Sequence, residues 1–119
     1  MDRRQFGRPI GEFQSTAYEL GVMALKTAAA RALTHEAARA MDSGAPDAGL
    51  LAAMAKLYAC RVAVEDSQRA QLLHGGWGYA EEFPVARYVA DALVLPIFEG
   101  VEPILELKVI GRQLLGGGA

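Results

Sequence analysis

Two long, alanine-rich stretches constrain the fold of this chain more than any other feature. From Glu12 to Met41 only Gly21 interrupts a run without proline, and alanine has the highest helix propensity of all residues. A second stretch, roughly 46–73, opens with a proline and ends at a glycine pair, the residues expected at the start and just past the end of a helix. The sequence therefore predicts two long helices, and Gly44 between them suits a left-handed cap.

Apolar residues recur at intervals of three or four in both predicted helices, as expected of faces that pack against a neighbour. On the first helix this face carries Phe13, Ala17, Leu20, Ala24 and Ala28. On the second helix it carries Leu50, Met54, Leu57, Cys60 and Val64. Small residues on the first face would allow another helix to approach closely.

Proline and glycine divide the rest of the chain into shorter pieces. Pro84 opens a third helix that runs to about Val94, and Pro96 prevents its continuation. Gly100 separates it from a fourth helix, which has Pro103 in its first turn.

The two ends of the chain carry few helix signals. We expect residues 1–11 to form a loop, because they contain two glycines and a proline, and residues 116–119 to form a flexible tail. No apolar alternation with a period of two predicts a strand anywhere. Residues 1–119 are therefore predicted to form one all-α domain, a bundle of antiparallel helices.

The composition limits the classes of partner. Twelve basic and fourteen acidic residues give a net charge of −2, so neither nucleic acid nor a membrane surface is expected to bind. No signal peptide and no apolar run of about 18 residues is visible, which predicts a cytoplasmic protein. Cys60 cannot form an internal disulfide and is expected to be a buried, inert thiol. His35 and His74 lack the spacing of a metal site, so no metal is expected.

One carboxylate stands out by its position. Glu99 lies in the sequence Ile-Phe-Glu-Gly-Val between two predicted helices, where a carboxyl group could be oriented and desolvated and so act as a base. From spacing alone, an exposed glutamate near a helix end is the simpler interpretation. Likewise, a helix cap and turn would explain Gly75 and Gly76, and Arg3 would be a solvated charge.

Several motifs follow one another in a fixed order along the chain. They are Arg3-Arg4-Gln5-Phe6-Gly7-Arg8-Pro9-Ile10 with Gln14, Ala53-Met54-Ala55-Lys56, His74-Gly75-Gly76-Trp77-Gly78-Tyr79, Pro84-Val85, Arg87-Tyr88, Asp91-Ala92 and Phe98-Glu99-Gly100. In this order they resemble the C-terminal helical part of the acyl-CoA dehydrogenase family. The family's N-terminal helical domain, its middle β-domain and the long helix before the Arg-x-x-Phe-Gly segment have no counterpart within these 119 residues.

The resemblance implies an FAD-dependent oxidoreductase that catalyses α,β-dehydrogenation of an acyl-CoA thioester in fatty-acid metabolism. Glu99 takes the position of the family's general base, which removes the α-proton while a hydride passes from the β-carbon to the flavin. Gly100 takes a position at which the backbone comes close to the substrate.

By the same resemblance, five residues take positions that contact FAD bound to a neighbouring subunit: Arg3, Phe6, Gln14, Gly75 and Gly76. An arginine suits contact with the pyrophosphate, because its planar guanidinium binds phosphate oxygens in pairs. Only glycine would permit a close approach of the backbone to the cofactor.

Three positions depart from the family pattern. Leu72 stands where the family has a glutamine, with Gln71 one position away, and Ala90 replaces an arginine. Val101 replaces a threonine whose hydroxyl helps to hold the flavin. These departures suit either a divergent enzyme or a chain under weaker selection for flavin binding.

Two hypotheses therefore remain open at the level of sequence. In the first, the chain is the C-terminal domain of an acyl-CoA dehydrogenase, inactive and without bound FAD in isolation, and completed by a separate polypeptide that carries the missing domains. In the second, it is a stand-alone, non-catalytic helical module for oligomerisation or partner binding. Because the long helix that covers these faces in the family is missing, we also expect a homodimer or tetramer.

Overall fold

The computed structural model describes residues 3–116, and helices dominate this part of the chain. The elements are α1 (Gln14–Ser43), α2 (Ala48–His74), α3 (Val85–Leu93), α4 (Glu102–Ile104), a π-helical stretch (Leu105–Gly111) and α5 (Arg112–Leu114). Short 3-10 turns lie at Ile10–Glu12 and Gly75–Tyr79. The all-α prediction is confirmed. Of the predicted tail, residues 117–119 lie outside the described part, as do residues 1 and 2.

The amino-terminal segment corrects the expectation of a loop without strands. Arg4–Gln5 (β1) pairs antiparallel with Arg8–Pro9 (β2) in a minimal hairpin. Its two turn residues, Phe6 and Gly7, have φ of 51° and 80°, the positive values that two-residue hairpin turns require. Strands of two residues are too short for a period of two to show in the sequence, which is why the pattern missed them.

Helix ends follow the glycine and proline signals closely. Gly44 has φ of 67°, and its N–H bonds back to the carbonyls of Ala40 and Met41, so it forms the left-handed cap that the sequence predicted. Pro46 differs from the prediction by two residues, because it lies in the turn before α2 and Asp47 is the residue that precedes the helix.

The two long helices pack as an antiparallel pair, and α2 also carries the rest of the chain. Three polar pairs cross their interface: Glu19–Arg69, Lys26–Glu65 and Thr27–Asp66. From the first pair to the other two, the residue number rises on α1 and falls on α2, as expected of antiparallel helices. Helix α3 and the π-helical stretch pack on α2 as well. Helix α2 is therefore the element on which α1, α3 and the π-helical stretch all pack.

The buried residues of the two helices are Thr16, Ala30, Ala37 and Ala40 of α1 and Ala48, Ala53, Ala55 and Val62 of α2. The described chain measures 61 × 24 × 24 Å and has a radius of gyration of 17.9 Å, whereas a compact domain of this length would have about 13.5 Å. The molecule is therefore a rod with a narrow core.

The apolar face predicted for α1 is not the face that packs on α2. Ala17, Ala24 and Ala28 are exposed, and Leu20 retains 39% of its accessible surface. An alanine-rich helix is apolar on several sides, so periodicity could not identify the side that contacts its partner. The stripe predicted for α2 is half-buried, and so is Cys60, which was expected to be buried. Within residues 3–116, no helix is both long and apolar enough to cross a membrane.

Asp66 gives a testable prediction for the interface between α1 and α2. Burial raises the pKa of its carboxyl above the usual 3.8, against the opposing effects of the Thr27 hydroxyl and Lys26. A raised pKa means that stability falls as pH rises from 3.8 through the folded-state pKa, so ionised Asp66 opposes folding at pH 7. Asp66→Asn, whose amide oxygen still accepts from Thr27, is expected to raise the denaturation midpoint at pH 7 but not at pH 3.

Asp91→Asn is the matched control, because Asp91 is 68% exposed and pairs only at 3.7 Å with Arg87. Its substitution should leave the midpoint nearly unchanged at both pH values. A lower midpoint for Asp66→Asn at pH 7 would contradict the prediction.

Candidate active site

A groove of about 1020 Å³ opens beside the carboxy-terminal end of α2. It lies between the amino-terminal hairpin and the turn that follows α2, and the side chains that give it chemical character are Arg3, Arg4, His74, Trp77 and Phe83. Cations can bind phosphate oxygens, and aromatic rings can stack on a planar ring system. The donor set thus fits a nucleotide-like cofactor such as FAD.

Arg3 is held in this groove by the end of α2. Its Nη1 donates a hydrogen bond to the carbonyl oxygen of Leu73 at 2.7 Å, and the two residues are 70 positions apart in sequence. A cation at this place is stabilised by the unpaired carbonyls of the helix carboxy terminus. Arg3 is therefore an oriented side chain and not the solvated charge that its sequence context alone suggested.

Gly75 has a backbone conformation that favours glycine, and it packs against the guanidinium of Arg3. It has φ of 64°, and a Cβ atom added there would lie 2.3 Å from Arg3 Nη1. The close approach expected between this glycine and a cofactor is thus made by a side chain of the same protein. Gly76 differs, because a Cβ there would meet no described atom within 4 Å, which leaves space beside its exposed backbone.

The aromatic residues of the turn form a cluster that the sequence pattern did not single out. Phe83 lies 5.9 Å from Trp77 and 6.0 Å from His74, measured between ring centroids. His74 is fixed by a 2.7 Å contact between Nδ1 and the carbonyl oxygen of Ala70. Trp77 keeps 60% of its surface exposed, so part of its ring is open to a partner or ligand. The aromatic content of the turn was the one available signal.

Gln71 braces the glycine turn from α2. Its Nε2 donates to the carbonyl oxygen of Gly78 at 3.1 Å, and a Cβ at Gly78 would lie 2.3 Å from the Gln71 carbonyl oxygen. Leu72, which stands where the family has a glutamine, is 71% exposed. The glutamine that is one position out of register therefore has a structural contact of its own.

The two remaining cofactor-binding residues of the prediction lie at the surface near the hairpin. Phe6 is at the hairpin tip, is 92% exposed, and meets Phe13 edge-on at 6.3 Å. Gln14 is exposed as the first residue of α1. Neither is buried by this chain.

Glu99 and Gly100 lie in a sharp turn between α3 and α4. Their φ angles are 52° and 98°, and the carbonyl oxygen of Gly100 accepts a 2.6 Å hydrogen bond from Lys56 Nζ. A Cβ at Gly100 would lie 3.0 Å from Leu105 Cδ2, and the φ of 98° itself favours glycine at this position. Glu99 is exposed, and the desolvation considered for it is not supplied by residues 3–116.

The predicted site residues form two separate clusters. Arg3, Gly75 and Gly76 lie at the carboxy-terminal end of α2, where Arg3 contacts Leu73. The Glu99–Gly100 turn contacts Lys56, which precedes Leu73 by 17 residues on the same helix, or about 25 Å at 1.5 Å per residue. No group of three or more potential metal-ligating side chains occurs in the described part of the chain.

Known proteins resemble the chain over nearly its whole length. The family described as "Acyl-CoA dehydrogenase, C-terminal domain" matches residues 1–115. A Mycobacterium leprae protein named "Probable acyl-CoA dehydrogenase fadE25" is 41% identical over 114 residues, which are 96% of this chain and 29% of that protein. The short-chain specific acyl-CoA dehydrogenase of Megasphaera elsdenii is 41% identical over 113 residues, or 95% of this chain and 29% of the relative.

Solved structures agree with this match. Butyryl-CoA dehydrogenase from Megasphaera elsdenii has a TM-score of 0.90 at 40% identity, covering 96% of this chain and 29% of that one. A glutaryl-coenzyme A dehydrogenase in complex with glutaryl-CoA also has a TM-score of 0.90, at 38% identity, covering 98% of this chain and 29% of its own. This chain thus spans about 30% of the length of the proteins that it matches. With the family match over residues 1–115, these likenesses show that the chain belongs to the acyl-CoA dehydrogenase family, as its C-terminal domain.

Proposed function

We propose that this chain supplies the general base, Glu99, for the α,β-dehydrogenation of an acyl-CoA thioester by an FAD-dependent enzyme. The observation that carries the proposal is the backbone of Glu99, whose φ of 52° is a value that non-glycine residues rarely adopt. Such a conformation is disfavoured by roughly 1–3 kcal/mol and is found where the surrounding structure imposes it, often at active sites.

Phe6 and Glu99 differ in what accounts for their positive φ. Phe6 is the other described non-glycine residue with a positive φ, and a two-residue hairpin turn accounts for it. Glu99 has no such turn. Instead, its neighbour Gly100 is bonded to Lys56, and the N–H of Glu102 bonds to the carbonyl oxygen of Pro96 at 3.2 Å. The turn is held from both sides in a conformation that presents the Glu99 carboxylate outward.

The chemical task of Glu99 is to take up a proton. The α-proton of a thioester is weakly acidic, so an ionised carboxylate must be placed within hydrogen-bond reach of it and kept from water. Placement comes from the turn, and exclusion of water would come from a covering domain and the substrate. FAD, when bound, supplies the acceptor for the hydride that leaves the β-carbon.

The groove at the other end of α2 is the part of the chain that we propose binds FAD. Arg3, oriented by its bond to Leu73, would contact phosphate oxygens, since that bond uses one of the five guanidinium donors. Gly76 would allow close approach, because space remains beside its backbone. Val101, two residues after Glu99, is 41% exposed and stands where the family has a threonine. Without the threonine hydroxyl, this position would bind the flavin more weakly.

Assembly with further polypeptide is part of the proposal. One FAD-binding cluster and one base lie about 25 Å apart on each chain, a distance measured along α2. In a homodimer or tetramer, the cluster of one chain could serve the FAD that lies next to the base of another. The exposed apolar face of α1, with Leu20 at 39% exposure, supports such association, because burying apolar surface is favourable.

The first prediction concerns the base itself. In the FAD-loaded enzyme that contains this chain, Glu99→Gln keeps the shape of the side chain but removes the group that accepts the proton. Turnover of acyl-CoA should fall by roughly 10²–10⁴-fold, while acyl-CoA binding persists. The control is Glu82→Gln, an exposed glutamate in the turn before α3. Turnover close to normal in Glu99→Gln would show that Glu99 is not the base.

The second prediction separates contacts within the chain from contacts with FAD. Gly75→Ala should destabilise the isolated chain and weaken FAD binding in the enzyme, because the new methyl group displaces the Arg3 guanidinium. Gly76→Ala should leave the unfolding midpoint of the isolated chain nearly unchanged but still weaken FAD binding. Chemical denaturation and FAD titration measure the two effects. If Gly76→Ala leaves FAD affinity unchanged, the cofactor does not approach this backbone.

The third prediction concerns sites shared between chains. In a dimer formed from one Glu99→Gln chain and one Gly75→Ala chain, one shared site carries both changes and the other carries neither. Mixing the two variants, at an FAD concentration too low to load Gly75→Ala, should therefore restore up to about a quarter of normal activity, since half of the dimers are mixed and half of their sites are intact. Tagged chains and co-purification verify that mixed dimers form. No recovery in verified mixed dimers would exclude shared sites.

A further inference from the structure

Lys56 is a half-buried cation on α2 that contacts the turn of the proposed base. Its Nζ donates a hydrogen bond to the carbonyl oxygen of Gly100 at 2.6 Å, across 44 positions of sequence. We propose that Lys56 is a positioning residue for Glu99, which it aims by holding the Gly100–Val101 peptide unit, one residue beyond the base. This inference rests on the proposed function of Glu99 as a base.

The turn needs such an anchor because of its backbone. Glu99 and Gly100 are consecutive residues with positive φ, and Glu99 has a side chain that disfavours this conformation. The bond between the Glu102 N–H and the Pro96 carbonyl closes the loop at its ends. Lys56 holds the Gly100–Val101 peptide in the middle of the loop, one residue after Glu99, where a change of backbone orientation would turn the carboxylate away.

The hydrogen bond of Lys56 differs in its acceptor from the ion pairs that α2 forms with α1. Lys26–Glu65 and Arg69–Glu19 are pairs of opposite charges near the surface. Lys56 instead donates a hydrogen bond to a neutral backbone carbonyl, and a hydrogen bond from a charged donor is shorter and stronger than one between neutral groups. A surface ion pair would serve stability, whereas this bond fixes one particular peptide unit.

Arg61, also on α2, contacts the residues that follow the Glu99–Gly100 turn. Its Nε donates to Glu102 Oε1 at 2.5 Å, and its guanidinium also pairs with Glu106. Arg61 therefore fixes the start of the segment that follows the turn, and Lys56 fixes the turn. Because Arg61 contacts only side chains of that segment, its removal should not reorient the Gly100 peptide directly.

Hydrogen exchange on the 119-residue chain tests the anchor without any need for activity. Lys56→Met, which keeps an unbranched side chain without its charge or its donors, should speed exchange of the Glu102 amide by about tenfold or more, because the loop opens more often. Lys56→Arg should restore protection in part. Lys108→Met, a change at an exposed lysine, should have no effect. Unchanged exchange at Glu102 in Lys56→Met would overturn the proposal.

A folding defect in Lys56→Met would be recognised from faster exchange along the whole of α2. Lys56→Gln then replaces it as the test variant, since it retains a shorter donor and a polar end. Faster exchange confined to residues 99–102 in that variant supports the anchor. Exchange that is uniform along the chain in both variants overturns it.

Kinetics of the FAD-loaded enzyme test the effect on the base. Lys56→Met should lower kcat by up to about 10²-fold, the loss expected when a reacting group is misplaced by about 1 Å, with little change in KM. Lys56→Arg should recover much of this loss. In a Glu99→Gln background, Lys56→Met should add almost nothing, because a base that is absent cannot be aimed. Additive losses in the double variant would overturn the proposal.

The two levels of the hypothesis fail in different ways. If Glu99→Gln alone keeps normal turnover, the proposed function is wrong, whatever Lys56 does. If Glu99→Gln abolishes turnover but Lys56→Met leaves kcat unchanged, the base is correct and its positioning by Lys56 is wrong.

Discussion

Packing against α2 is the constraint on which the rest of this structure depends. The helix receives α1 along its length, α3 and the π-helical stretch pack on it, and both candidate clusters are bonded to it. Arg3 is tied to its carboxy-terminal end through Leu73, and the Glu99–Gly100 turn is tied to it through Lys56. Because a helix has a fixed rise per residue, α2 sets the distance between the two clusters. The two clusters are thereby held at a fixed distance from each other through α2.

The narrow core leaves apolar surface of this chain uncovered. Alanines form most of the buried residues of α1 and α2, and within residues 3–116 no large side chain is completely buried. Complete burial of a leucine or valine contributes about 1.5–3 kcal/mol, so buried alanines contribute less for each residue. Small residues allow the helices to approach closely, but they leave larger side chains such as Leu20 and Leu25 on the outside. A partner surface that covers these side chains would supply burial that the isolated rod lacks.

Local signals predicted the helices well and their contacts poorly. The two alanine-rich stretches indicate helices, and Gly44 indicates where the first one ends, because these residues have conformational preferences of their own that are visible in the sequence. The side of α1 that faces α2 could not be read, because alanine gives every side a similar hydrophobicity. The bond between Arg3 and Leu73 joins residues 70 positions apart and has no local signature. Glu99 was identified through a family motif, whereas its strained backbone and its anchor at Lys56 required the fold.

The glycines of the two clusters show how far a motif can be trusted as a sign of ligand binding. Gly78 is explained by a Cβ that would lie 2.3 Å from the Gln71 carbonyl oxygen, and Gly75 and Gly100 by their positive φ, so the chain itself accounts for all three. A sequence motif cannot distinguish such glycines from those that make room for a cofactor, because both exclude a side chain for steric reasons. Gly76 is the exception in its motif, since no described atom would contact its Cβ. A requirement for glycine there would have to come from something outside the described chain, which makes it the informative position for cofactor approach.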